Sequence, residues 1–221
     1  MNLARGLERR LEKLVDGASA SVFRGRMHPI DIASRLVRQI EFLSTETAAG
    51  TQVPNDLVVS MNSADIDTTV DRNDLTDELV NVVTETAVQR GWRTVGPVEI
   101  QIVTSTDIPR GILEAEGRTK ASPIAPWGQL IADDGSAVLA ISINRSLIGR
   151  SLDCDIRVAN QEVSRSHLII FREDGNTMIT DLASANGTFV NGVRLAERSV
   201  SVGAGDTVML GNLSFTYRPL F

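Results

Sequence analysis

The sequence predicts an α+β domain followed by an all-β sandwich of about eleven strands, and three features carry that prediction. From Trp127 onward, short apolar or alternating runs recur between Asp133-Asp134-Gly135, Asp174-Gly175-Asn176 and Asn191-Gly192, the cadence of antiparallel strands joined by tight turns. Before residue 118, helical periodicity dominates, with a few strand-like runs set among it. Between the two lies Arg118-Thr119-Lys120-Ala121-Ser122-Pro123-Ile124-Ala125-Pro126, which has two prolines and no periodicity and reads as a linker. The expected organisation is therefore residues 1–117, a linker at 118–126, and residues 127–221.

In the first domain, Leu3, Leu7, Leu11, Leu14, Ala18 and Val22 recur every three or four residues, which predicts an amphipathic helix over residues 3–23. Pro29 suits the first position of a second helix, in which Ile32, Leu36, Val37, Ile40 and Leu43 keep helical spacing. Residues 44–51 read as a polar, threonine-rich turn. Leu57-Val58-Val59-Ser60-Met61 follows as a strand. An acidic loop over residues 65–74 lacks the spacing and glycine of a calcium loop. Leu75, Leu79, Val82, Val83 and Thr86 mark a third helix, with acids crowding its positive N-terminal end and Gly91 placed to stop it. Val98 to Val103 alternates like a half-buried strand, residues 112–117 suggest another, and Trp92 reads as a core plug.

The sandwich strands are expected at residues 128–132, 137–143, 146–149, 156–158, 167–172, 178–181, 188–190, 193–195, 200–202, 207–210 and 213–218.

Composition is that of a folded globular chain, 42% hydrophobic and 23% charged. No run is long and apolar enough to span a bilayer, so the expected setting is cytoplasmic. Charge is uneven: eight basic and five acidic side chains in residues 1–43, six and thirteen in 44–125, eight and ten in 126–221. The sandwich is thus not basic overall, and an anion bound there must be held by a local cluster. The one cysteine, Cys154, sits between Asp153 and Asp155, whose charges disfavour a thiolate. His28 stands apart from the other histidine, so neither a zinc site nor a Ser-His-Asp triad can be assembled. No catalytic residue, metal or cofactor is expected.

The chemistry lies in three blocks: Ile148-Gly149-Arg150, Val163-Ser164-Arg165-Ser166-His167-Leu168, and Asp181-Leu182-Ala183-Ser184-Ala185-Asn186-Gly187-Thr188. Their order and spacing resemble the forkhead-associated (FHA) domain, a β-sandwich whose loops bind phosphothreonine on a partner protein. That resemblance implies that Arg150 gives a guanidinium to the phosphate, Ser164 a hydroxyl and backbone amide, and Arg165 a second cation. Asn186 would grip the peptide backbone, and Gly149, His167 and Gly187 would support the site. Relatives often place threonine or serine where this chain has Ala185, so one donor to the phosphate is missing. Residues His28-Pro29-Ile30-Asp31-Ile32-Ala33, Val53-Pro54-Asn55-Asp56-Leu57 and Gln89-Arg90-Gly91-Trp92 resemble the domain that precedes FHA in FhaA-like proteins, found mainly in actinobacteria.

The resemblance implies an adaptor that reads threonine-phosphorylated proteins in Ser/Thr protein kinase signalling, with cell-wall synthesis or division as the setting and recruitment to the membrane face by a partner. The alternative is a structural or nucleic-acid-binding scaffold acting through the basic N-terminal helices; the acids interspersed among those arginines favour a solvated face instead. Thr45 and Thr47, beside Glu46, are candidate kinase targets.

Overall fold

A computed structural model describes residues 27–66, 71–196 and 198–220. The helix expected over residues 3–23 lies outside the described residues, as does part of the acidic loop. By contact the chain forms two units that interleave in sequence. One runs to Thr45 and takes Val53–Ala87 and Gly96–Ala121, while the other is built from Glu46–Gln52, Val88–Val95 and Ser122–Phe221.

In the first unit, α1 (Pro29–Phe42) starts at His28, whose Nδ1 accepts from the Ile30 N–H, with Pro29 in the first turn where no donor is needed. It buries Ile32, Ala33, Leu36, Val37 and Ile40 as one stripe. Strand β3 (Asp56–Asn62) is the centre of a three-stranded sheet, with Leu57, Val59 and Met61 fully buried. It pairs in parallel with β4 (Glu99–Ser105) and antiparallel with β5 (Leu113–Arg118). The parallel pair needs a crossover, and α2 (Arg72–Gln89) supplies it, burying Leu75, Leu79, Val82 and Val83. Asn55 is buried and fully engaged: its side-chain amide donates to Pro97 O and Lys120 O, and its carbonyl accepts from Lys120 N.

The second unit opens with a feature the sequence had as a turn. Where a turn was expected over residues 44–51 there is a hairpin that runs one residue further, β1 (Thr45–Thr47) and β2 (Gly50–Gln52). Three-residue strands are too short for a period of two to show, which is why only the polar composition was legible.

Eleven strands then build the sandwich. One sheet has the order β14-β11-β10-β8-β9 (Val200–Val202, Asn176–Asp181, Leu168–Glu173, Ser146–Gly149, Ile156–Arg157). The other has the order β13-β12-β15-β16-β6-β7 (Val193–Arg194, Thr188–Val190, Thr207–Leu210, Leu213–Pro219, Gly128–Ala132, Val138–Ile141). Strands β8 and β9 pair in parallel, and the remaining pairs are antiparallel. Leu130, Ile148, Leu168, Ile170, Ile179, Val208, Leu210 and Phe215 fill the space between the sheets. Asp174-Gly175 and Asn191-Gly192 both take positive φ, as two-residue hairpin turns require.

Strand β10 is apolar on both faces. Leu168 and Ile170 point to the inter-sheet core, whereas Ile169 and Phe171 join Leu147 and Ala49 in a second cluster on the outer side of the sheet. The hairpin and the segment Val88–Val95 are what this second side packs with. Arg145 donates from Nε to Ala49 O (2.7 Å) and from Nη1 to Gly91 O (3.1 Å), and its guanidinium lies 4.2 Å from the Phe171 ring centre. Asn144 donates to Trp92 O at 3.0 Å. Trp92 is a buried plug as expected, but it belongs to the second unit.

Candidate functional site

Three loops carry the quoted residues: 150–155 between β8 and β9, 158–167 between β9 and β10, and 182–187 between β11 and β12. Main-chain bonds fasten the first two together. Arg150 N donates to Ser164 O (3.0 Å), Ser151 N to Arg165 O (3.1 Å) and His167 N to Ile148 O (2.9 Å). This approach is close enough to need Gly149: a Cβ there would stand 2.2 Å from Arg165 O. The glycine before Arg150 thus lets the arginine's loop lie directly on the serine's.

His167 joins the second and third loops. It is fully buried, its Nδ1 accepts from Ser164 N (3.0 Å), and Nε2 faces Gly187 O at 3.3 Å. An acceptor at Nδ1 places the ring proton on Nε2, which then donates to the Gly187 carbonyl. Burial lowers the imidazole's pKa below its ordinary value, against smaller upward pulls from Gly187 and Asp181, so the neutral tautomer fits the site.

The third loop has its own brace. Asp181 accepts from Ser184 N (3.0 Å), Ser184 Oγ (2.5 Å) and Thr188 Oγ1 (2.6 Å). Burial alone would push this carboxyl up, but the bonds from Ser184 and Thr188 outweigh it and hold the group below the usual range. Within the loop, Gly187 takes a φ of 79°, and a Cβ there would meet Arg194 Nε at 2.6 Å.

Ser164 is half-buried, and its Oγ accepts from Ala185 N at 3.0 Å. That bond occupies a lone pair and leaves the hydroxyl proton available to an outside acceptor. The Ser164 backbone amide, expected from the resemblance to face a phosphate, is instead committed to His167. The next amide, Arg165 N, has no acceptor among the described residues. Asn186 is exposed, and its side-chain amide donates to Glu162 O (3.0 Å) and Glu162 Oε2 (2.7 Å), leaving Oδ1 as its open polar atom. Arg150 and Arg165 are exposed, and neither guanidinium is ion-paired among the described residues.

So hydrogen bonds link Arg150, Ser164, His167 and Gly187 and tie Arg165 in through Ser151, Gly149 joins them by close backbone approach, and Asn186 is held by Glu162 on the same pair of loops. Thr45 and Thr47 take no part in this arrangement. Both are exposed on β1, and the Thr47 hydroxyl is used by its own turn, donating to Gly50 O (2.7 Å) and accepting from Ala49 N (3.2 Å). Sequence reasoning missed Glu162 and Asp181. Asp181 stood inside a quoted block, and the Ser184 and Thr188 hydroxyls within seven residues of it were the available signal. Nothing local marked Glu162, whose partner lies 24 residues away. Cys154 is half-buried, and burial, then Asp155 and Asp153, push its thiol up. No cluster among the described residues can hold a metal ion, and no helix among them is long and apolar enough to cross a membrane.

An eleven-stranded sandwich with arginine, serine and asparagine loops tied at one histidine defines a forkhead-associated module, and the sequence profile described as "FHA domain" matches residues 146–211. The profile described as "FhaA, N-terminal domain" matches residues 5–116, half of the chain, and the chain belongs to that family.

Among curated proteins it is similar to the ABC transporter ATP-binding/permease protein Rv1747 of Mycobacterium tuberculosis, 31% identical over 136 residues that make up 60% of this chain and 15% of the transporter. It is also similar to the oxoglutarate dehydrogenase inhibitor of Corynebacterium diphtheriae, 28% identical over 55% of this chain and 92% of the inhibitor. The FHA domain-containing protein PS1 of Arabidopsis thaliana is 34% identical over 41% of this chain, which spans only 6% of that protein. A solved structure of the FhaA FHA domain complexed with the intracellular domain of Rv3910 is 32% identical, covering 41% of this chain and 99% of that one, with a TM-score of 0.38.

Proposed function

We propose that the chain is a phosphothreonine-dependent adaptor: its FHA module binds a threonine-phosphorylated protein and itself carries out no reaction. The observation that carries this reading is the unspent donor set on braced loops. Two exposed guanidiniums with no ion pair among the described residues, a serine hydroxyl whose proton is uncommitted and a loop amide with no acceptor among the described residues lie on loops that are already tied to one another. Charge-assisted hydrogen bonds to a phosphate are strong when their donors are oriented before the ligand arrives. In this reading Arg150 holds two phosphate oxygens, Ser164 Oγ and Arg165 N donate to the phosphate, and the Arg165 side chain adds charge at the edge. Asn186 Oδ1 accepts from the peptide backbone while Glu162 fixes its plane. Gly149, His167 and Gly187 keep the loops in register.

The finer reading is that the partner is a substrate of a Ser/Thr protein kinase, and that the adaptor serves cell-wall synthesis or division from the cytoplasmic side of the membrane. Thr45 and Thr47 are proposed targets of such a kinase. Modification of Thr47 would break the bond that closes its own turn, and mass spectrometry after kinase treatment finding both threonines unmodified ends that part. The main reading is tested with a degenerate phosphothreonine-peptide library and its unphosphorylated twin. The wild-type chain is expected to retain only the phosphorylated pool, and Arg150→Ala to retain neither. Equal retention of both pools refutes the reading.

A further inference from the structure

Arg93 stands far from the signature blocks in sequence, yet it is bonded to the loop that carries Arg150. Its guanidinium meets Asp155 with two parallel bonds, Nη1 to Oδ2 at 2.8 Å and Nη2 to Oδ1 at 2.6 Å. The remaining donors are spent on the same neighbourhood: Nη1 also reaches Arg145 O (2.8 Å), and Nε reaches Gln52 Oε1 (3.1 Å). The two side chains of the pair are 11% and 15% exposed, although the main chain of Asp155 is open to solvent. A sheltered, two-toothed pair of this kind sets both position and orientation, which a lysine's single charge does not.

Asp155 closes the loop 150–155. Its Oδ2 also accepts from Leu147 N (2.7 Å), at the base of the strand that leads into Arg150. At its near end the loop is held by Arg150 N on Ser164 O and Ser151 N on Arg165 O. Between the two holds, Ser151, Leu152, Asp153 and Cys154 have short internal bonds, the Cys154 Sγ contact with Arg165 O at 3.0 Å, and the packing of Cys154 against the cluster of Ala49, Leu147, Ile169 and Phe171. The far end is also held by Leu147 N on Asp155 Oδ2 and by the pairing of Ile156 and Arg157 with Ile148 and Gly149, so Arg93 sets how tightly Asp155, and with it the loop, is fixed rather than whether the loop is closed.

We propose that Arg93 is a positioning residue for phosphothreonine binding, acting through Asp155 to fix the far end of the loop that presents Arg150. The binding half of this proposal rests on the function proposed above; the anchoring half does not. It makes a residue contributed from between α2 and β4 part of the recognition machinery without touching the ligand. The segment Val88–Val95 counts with the sandwich by contact, so the anchor lies within one packing unit.

The chain's single cysteine lies inside this loop and provides a readout that needs no ligand. The full chain would be treated with an aromatic disulfide reagent, and the labelling rate of Cys154 followed in wild type, Arg93→Gln, Arg93→Lys and Arg150→Ala. Arg93→Gln is expected to raise the rate about tenfold by loosening the loop. Arg93→Lys should fall between, and Arg150→Ala should leave the rate unchanged.

In parallel, a fluorescent phosphothreonine nonapeptide, selected on the wild-type chain from a degenerate library, would be titrated at a temperature well below unfolding. A several-fold weaker dissociation constant is expected for Arg93→Gln. The loss in the Arg93→Gln, Asp155→Asn double variant should fall short of the sum of the two single losses, because both substitutions remove the shared pair, while Arg93→Gln also gives up the bonds to Arg145 O and Gln52 Oε1. Unchanged labelling in Arg93→Gln overturns the anchor. Faster labelling with unchanged affinity, or a lower melting temperature alone, reduces Arg93 to a structural residue and overturns the positioning role. A wild-type chain that binds no phosphothreonine peptide sinks the functional reading itself, and the labelling series still decides whether Arg93 anchors the loop.

Discussion

Ser164→Ala isolates one atom of the candidate site. Among the described residues the hydroxyl has one bond, accepted from Ala185 N at 3.0 Å, and Ala185 is exposed, so water replaces that partner when the oxygen is removed. The bonds that shape the loop, Ser164 N to His167 Nδ1 and Arg150 N to Ser164 O, belong to the main chain and survive. Stability should therefore change by less than about 1 kcal/mol. Binding loses a neutral donor to a charged acceptor, worth about 1.5–3 kcal/mol, which corresponds to a dissociation constant about 10- to 150-fold weaker. Calorimetry with a phosphothreonine peptide, beside denaturant unfolding of the same sample, measures both. A loss under about threefold at unchanged stability would place the phosphate elsewhere. A large loss of stability would mean that the hydroxyl holds the loops rather than the ligand.

Ala185→Ser adds a hydroxyl at an exposed position whose amide already touches Ser164, and it should tighten phosphopeptide binding several-fold, less than a full charged bond because water is displaced. The gain must vanish in the Arg150→Ala background, as calorimetry on the double mutant would show. Phosphothreonine peptides should bind more tightly than matched phosphoserine peptides, by about the 0.8 kcal/mol of one buried carbon, and equal affinities would refute a recess for the methyl. Glu162→Gln keeps an acceptor for Asn186 but removes a carboxylate beside the site, so affinity should rise a few-fold at low salt and converge with wild type at high salt. Burial holds His167 below its ordinary 6.5, so the unfolded chain binds more protons below that pH. Its contribution to stability is complete above pH 6.5 and lost as pH falls through the lowered value, and a urea-unfolding series flat from pH 7 to 5 would contradict this.

The strand cadence after Trp127 was legible because each strand is short, apolar on its inner face and closed by a turn residue, and all eleven expected strands are present within a residue or two at their ends. The run Leu168-Ile169-Ile170-Phe171 was the warning that something more was needed. Four consecutive apolar residues on an antiparallel strand require cover on both faces, and the second cover comes from Ala49 on a hairpin with no periodicity of its own. The same limit applies to the site. The quoted blocks name the loops, because Gly149, Ser164, His167 and Gly187 are types chosen by close approach and hydrogen bonding. Asn186 to Glu162 and Arg93 to Asp155 are pairings across 24 and 62 residues, set by the tertiary fold rather than by any local pattern.

The interleaving of the second unit also has a consequence for synthesis. Ala49 and Trp92 leave the ribosome well before the strand that carries Phe171, and the unit cannot be completed until that strand and its neighbours follow. At about 5–20 residues per second, the roughly 80 residues between Trp92 and Phe171 take about 4–16 s. During that interval the buried side of the hairpin has no sandwich to close against and the Trp92 carbonyl lacks its Asn144 partner, so a nascent chain stalled in this window should recruit chaperones that one extended past Phe215 does not.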